Sequence, residues 1–136
     1  MFQAVEVDDP IDLGCNILFD RLVRGKNNKT REFKISHDGS VVGLLIYEDG
    51  GELYDFIYEI FVLPEFRRGG VGTWILLYAE QMAARLGRSG VRLTARSLFR
   101  DELNDDELAL WYERRGYVRS PADKDMLEKS FPMALS

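Results

Sequence analysis

Residues 58–72 leave little freedom in how the chain folds. Tyr58 to Leu63 are aromatic, β-branched or apolar with one charge among them, which predicts a strand. Pro64 has no N–H to give a ladder and ends it. Arg67, Arg68, Gly69, Gly70 and Gly72 then make a basic, glycine-rich turn, and an amphipathic helical pattern starts at Val71. The first turn of such a helix has backbone N–H groups without partners and a partial positive charge, so it suits an anion. Glycines let the backbone approach a phosphate with no Cβ in the way. The stretch therefore predicts a phosphate-binding turn. Two known phosphate motifs do not fit. A P-loop needs Lys and then Ser or Thr after the last glycine, where Thr73 and Trp74 stand; the dinucleotide fingerprint needs Gly or Ala where Ile75 stands. An ordinary glycine-rich connection would carry the same residues, so the rest of the chain has to decide.

At 136 residues the chain has the length of one domain, residues 1–136, and enough apolar content for a core. No run approaches the ~20 apolar residues that span a bilayer, and no basic-then-apolar N-terminus marks a secretory signal. The single cysteine, Cys15, precludes an internal disulfide and fits a reducing cytoplasm. A net charge of -5 argues against general nucleic-acid binding and permits a cationic partner such as an amine.

Taken in order, Phe2 to Val7 predicts a short strand. Asp9 and Pro10 predict a helix start, with Ile11, Cys15, Leu18 and Leu22 on one apolar face and Gly25 at the stop. Cys15 on that face reads as a small buried hydrophobe. Residues 25–30 form a polar, basic loop. Strands Arg31–Ser36 and Val41–Tyr47 flank the turn His37-Asp38-Gly39, which leaves His37 structural or exposed. Asp49-Gly50-Gly51 turns into a long strand, Glu52–Leu63, giving a three-stranded antiparallel meander. Ile75, Tyr78, Ala79, Met82 and Leu86 form a helical stripe that Gly87 closes. Val91–Arg96 predicts a strand parallel to the one before, because a helix connects them. After the loop Ser97–Leu103, Asn104 and Glu107 make a capping box for a helix carrying Leu108, Trp111, Tyr112 and Arg115 on one face. Gly116 ends it, and Tyr117-Val118 and Met126–Phe131 form a final hairpin around residues 121–125.

Arg67-x-x-Gly70-x-Gly72, preceded by Val62-Leu63-Pro64, resembles the acyl-CoA pyrophosphate motif of the GNAT acetyltransferase superfamily, (Gln/Arg)-x-x-Gly-x-(Gly/Ala) after a strand ending Val-x-Pro. Tyr112-Glu113-Arg114-Arg115-Gly116-Tyr117 resembles that family's other signature, a helix ending Tyr-Glu-(Lys/Arg)-x-Gly-(Phe/Tyr). The element order agrees as well, so the resemblance covers nearly the whole chain, most closely over residues 58–86 and 105–117. One departure is plain. Family members often have Asn seven residues before the tyrosine, where Asp105 stands with Asn104 before it, so that asparagine's role is not carried over.

The resemblance implies an α+β, three-layer GNAT fold: a mixed, mostly antiparallel central sheet of about six to seven strands flanked by about three to four helices. It implies an N-acetyltransferase in which a primary amine attacks the thioester of acetyl-CoA directly. Backbone N–H groups from Arg68 through Gly69, Gly70, Val71, Gly72 and Thr73, with Arg67 beside them, would hold the pyrophosphate. Pantetheine would add to the exposed edge at Phe61, Val62 and Leu63, and an N–H near Val62 would stabilise the thioester oxygen as charge develops. Tyr112 matches the general acid to the thiolate; a core aromatic would look the same. Glu59, the one charge inside the strand, is the candidate base, since an apolar setting would help it accept a proton; Glu52 and Asp55 are rivals, and ordered water is an alternative. No metal is implied. From another class comes a second reading, an acyl-CoA-binding or regulatory module without catalysis. The partners expected are an amine acceptor, no nucleic acid and no membrane, and an exposed edge with the terminal hairpin leaves room for a homodimer.

Overall fold

The computed structural model describes residues 1–49, 53–98 and 102–132. Its centre is a seven-stranded sheet in the order β1-β2-β3-β4-β5-β7-β6. The strands are β1 (Phe2–Glu6), β2 (Thr30–His37), β3 (Ser40–Glu48), β4 (Tyr54–Val62), β5 (Gly90–Thr94), β6 (Val118–Arg119) and β7 (Met126–Ser130). Three α-helices, α1 (Asn16–Gly25), α2 (Val71–Arg85) and α3 (Asp105–Glu113), complete the described elements apart from two 3-10 turns, Pro10–Leu13 and Pro64–Phe66. Strands β1 to β4 pair antiparallel in succession, β4 and β5 are parallel, and β7 lies antiparallel between β5 and β6. The fold expected from the element order is the fold observed.

Two apolar clusters make three layers. On one face Leu18 and Leu22 of α1 and Leu13 meet Leu44, Ile46, Phe61 and Leu63. On the other, Ile75, Ala79 and Ala83 of α2 and Ala109 and Tyr112 of α3 meet Phe33, Val42, Leu45 and Ile57. Strand β3 lies between both, which is why Val42 to Tyr47 run apolar without alternation and are all buried. Gly43 allows β3 and β4 to close up: a Cβ there would stand 2.7 Å from the Phe61 carbonyl oxygen.

The helix expected from Asp9 onward is instead two pieces. Asp9 does cap, accepting from the Ile11 N–H at 3.1 Å, but only a 3-10 turn follows. Gly14 is left-handed at φ +64°, and Cys15 is the extended N-cap of α1. The three-to-four spacing that linked Ile11 to Cys15 runs across this break, and Ile11 is exposed while Leu13 takes its place in the core. Strand β5 stops at Thr94, two residues short of expectation. Gly50, Gly51 and Glu52 lie outside the described residues, as do 99–101 of the loop before α3. Among the described residues no helix is long and apolar enough to cross a membrane.

The sheet splits between β4 and β5. Their pairing ends at Ile57 with Leu93, whereas β4 stays with β3 as far as Val62. The divergence begins at a bulge. Ile46 faces Glu59 and Tyr47 faces Ile57, so Tyr58 is one residue too many on β4. Such an insertion bends and twists the strand that carries it. Beyond the bulge, β4 presents an unpaired edge that leads to the start of α2.

Candidate active site

A cleft of about 900 Å³ occupies this split. Every predicted site residue lines it except Phe61, Leu63 and Gly69. Its floor is the free edge of β4, and backbone parity decides which residues offer hydrogen bonds there. The Leu63 N–H donates to the Val42 carbonyl at 2.9 Å, so Leu63 and Phe61 point their polar groups at β3. Ile60 and Val62 therefore turn theirs to the open side. The expected edge of Phe61, Val62 and Leu63 is corrected to Ile60 and Val62. Phe61 and Leu63 are buried against α1 instead, 4% and 6% exposed.

The turn after β4 is built for its glycines and one strained arginine. Arg68 and Gly70 are both left-handed, at φ +71° and +81°. That conformation costs a residue with a Cβ about 1–2 kcal/mol, and strain of this kind collects at binding sites. Gly70 is the N-cap of α2, supplies no side-chain cap, and is followed by no acidic residue in the first turn. The contrast with α3 is instructive. There Asn104 accepts from the Glu107 N–H at 2.8 Å, Glu107 accepts in return from the Asn104 N–H at 3.1 Å, and three acids fill the first turn. The amides of Val71, Gly72 and Thr73 have no intrahelical acceptor, and no side chain of the cap replaces one. A Cβ built on Gly72 meets only Trp111, at 3.9 Å. The open cradle fits a phosphate group.

Arg67 does not extend towards that cradle. Its Nε donates to the Val62 carbonyl at 3.2 Å and its Nη1 to Glu102 at 2.9 Å. It therefore covers an acceptor on the same edge that a backbone-like ligand would use.

Glu59 is not in the apolar setting expected of it, nor does it point to solvent. Arg21 of α1 holds both its oxygens, at 2.6 and 3.1 Å, and its side chain is 9% exposed. The bulge puts Glu59 on the α1 face, so a guanidinium thirty-eight residues away meets it. Asp55, a rival base, is fully buried and bonded to the Tyr47 hydroxyl and to Arg88 Nε, at the far end of the strand from the phosphate turn. Glu52 lies outside the described residues. The carboxylate of Asp105 accepts from the Ser97 N–H at 2.8 Å, which ties the loop after β5 to α3.

Tyr112 lies between α3 and the sheet, 7% exposed and edge-on to both Trp111 and Tyr117. It borders the cleft, and its hydroxyl makes no hydrogen bond to a described residue. Burial pushes the phenol well above its usual range, so it stays protonated through neutral pH.

The split sheet, the uncapped helix and the tyrosine at the cleft together define an architecture of the acyl-CoA acyltransferase type. The profile described as the acetyltransferase (GNAT) domain matches residues 29–119, and the chain belongs to that family. Solved structures agree on the fold. The PaiA N-acetyltransferase of Thermoplasma acidophilum in complex with coenzyme A is 13% identical, with 96% of this chain and 99% of that one covered at a TM-score of 0.68. The ribosomal-protein-S18-alanine N-acetyltransferase of Escherichia coli is 13% identical, with 98% and 96% covered at 0.70. A GNAT family acetyltransferase of Elizabethkingia anophelis with acetyl-CoA bound is 11% identical, with 96% and 98% covered at 0.64. No curated protein matches the sequence.

Proposed function

We propose that the chain transfers an acetyl group from acetyl-CoA to a primary amine by direct attack in a ternary complex. The observation that carries this reading is the continuity of the cleft: a free strand edge runs into a helix start that has no side-chain cap among the described residues. Family membership and the acyl-CoA ligands of similar structures support it.

Acetyl-CoA supplies an activated acyl group on a thiol leaving group. The chain's own residues do the rest. The amides of Val71, Gly72 and Thr73, with the turn from Arg68 to Gly70, hold the pyrophosphate. Ile60 and Val62 pair with the pantetheine arm, and Arg67 gives up the Val62 carbonyl as the arm arrives. A free N–H of this edge donates to the thioester oxygen as negative charge develops. Tyr112 gives its proton to the departing thiolate. Glu59 keeps lone pairs beyond those bonded to Arg21, so it can accept an N–H from the amine and place it, while the amine's proton leaves to water.

The test is release of free thiol from acetyl-CoA in the presence of a panel of amines: protein N-termini, lysines, polyamines and amino sugars. Amine-dependent thiol release is the expected result. Binding of acetyl-CoA with no release for any acceptor would favour the non-catalytic binding module instead.

A further inference from the structure

Arg115 lies two residues beyond the end of α3 and reaches across to the start of α2. Its Nη1 donates to the Trp111 carbonyl at 2.9 Å and its Nη2 to Thr73 Oγ1 at 3.2 Å. The guanidinium also stacks over the Trp111 ring, 3.7 Å from its centroid. Three contacts thus fix it beside the first turn of α2, on the wall of the cleft. All three partners are neutral. Among the described residues no carboxylate meets Arg115, whereas Arg21, Arg67 and Arg92 each meet one and Arg88 meets two.

A guanidinium carries five N–H donors. Two are used here, which leaves Nε–H and one hydrogen on each Nη. A cation held still by neutral acceptors, with donors to spare and no counter-charge, is prepared for an anion that arrives from solution. Val71, Gly72 and Thr73, whose amides lack intrahelical acceptors, form the turn that Arg115 touches at Thr73. We infer that Arg115 is a phosphate-binding residue of this cleft, completing from just beyond α3 the site that α2 begins. The inference rests on the acyl-CoA reading above and names a residue in it. The phosphate is either the pyrophosphate or the 3′-phosphate of the nucleotide.

Calorimetric titration of the unaltered chain, Arg115→Lys and Arg115→Met with CoA and with 3′-dephospho-CoA tests it. Methionine keeps an apolar stem over Trp111 and loses the charge; lysine keeps the charge. Arg115→Met is expected to bind CoA about tenfold or more weakly, with Arg115→Lys between it and the unaltered chain. If the loss appears with both ligands, the contact is to the pyrophosphate. If it appears with CoA alone, the contact is to the 3′-phosphate. Undiminished CoA affinity in Arg115→Met would overturn the inference. So would a lysine variant no better than the methionine one, since Arg115 would then only pin α3 to α2. Failure of the unaltered chain to bind CoA would overturn the acyl-CoA reading itself, which separates the two claims.

Discussion

Tyr112 is the residue whose surroundings most constrain its role. It is packed like a core aromatic, yet it borders the cleft, and its hydroxyl bonds to none of the described residues. Replacing it with phenylalanine keeps the ring and removes the proton. Tyr112→Phe is expected to lower turnover roughly 100-fold while acetyl-CoA affinity stays unchanged; equal turnover would return Tyr112 to packing alone. Glu32 shows a conflict of another sort. It is 6% exposed, and its Oε2 is buried with no partner among the described residues. Glu32→Gln removes a carboxylate that meets no cation among the described residues, and it should raise unfolding free energy by about 1 kcal/mol at neutral pH. A lower melting temperature would count against that. At this scale the sequence is least legible. Glu59 stands out as the one charge in an apolar strand, but Arg21 is thirty-eight residues away and only the bulge at Tyr58 brings the two together. Arg115 shares a helix face with Trp111 and Tyr112 in the sequence, yet its contact with Thr73 joins elements forty-two residues apart.

Elements are more legible because periodicity and punctuation act locally. The change from apolar strand to glycine turn to helical stripe places β4 and α2 correctly, and the capping box at Asn104 and Glu107 is present as read. Two features escape. The break at Gly14 depends on a left-handed backbone, which the three-to-four spacing around it conceals. The choice of Ile60 and Val62 over Phe61 and Leu63 depends on which side of β4 faces β3, and that is a matter of pairing. Two glycines separate binding from folding. Gly72→Leu puts a side chain where a Cβ meets only the Trp111 ring, at 3.9 Å, so it should abolish CoA binding and leave the melting temperature nearly unchanged. Gly43→Ala presses a methyl on the Phe61 carbonyl and should cost about 1–3 kcal/mol of stability. A Gly72 variant that unfolds, or one that binds CoA normally, would contradict the assignment of the turn.

The whole molecule joins one sheet out of strands from residue 2 to residue 130, and the proposed site lies where that sheet fails to close. Its stability carries a signature of the buried phenols. Tyr47, Tyr112 and Tyr117 are all pushed above the ordinary phenol range, by burial first and, for Tyr47 and Tyr117, by the carboxylates of Asp55 and Glu80. Above about pH 10 the unfolded chain releases phenol protons that the folded chain keeps, so stability must fall as pH rises. Thermal melting should be level through neutral pH and decline beyond about pH 10; a level profile there would show that these phenols ionise without cost. The acidic balance of -5 favours a cationic acceptor for the proposed reaction without choosing among amines. The central claim is that the open edge of β4 and the uncapped start of α2 form an acyl-CoA site. Calorimetric titration of the chain with acetyl-CoA, alongside its Gly72→Leu variant, tests it directly. Micromolar binding that the variant loses is the expected result. Absence of binding at millimolar acetyl-CoA would mean that the glycine turn only connects a strand to a helix, and the enzymatic reading would fall with it.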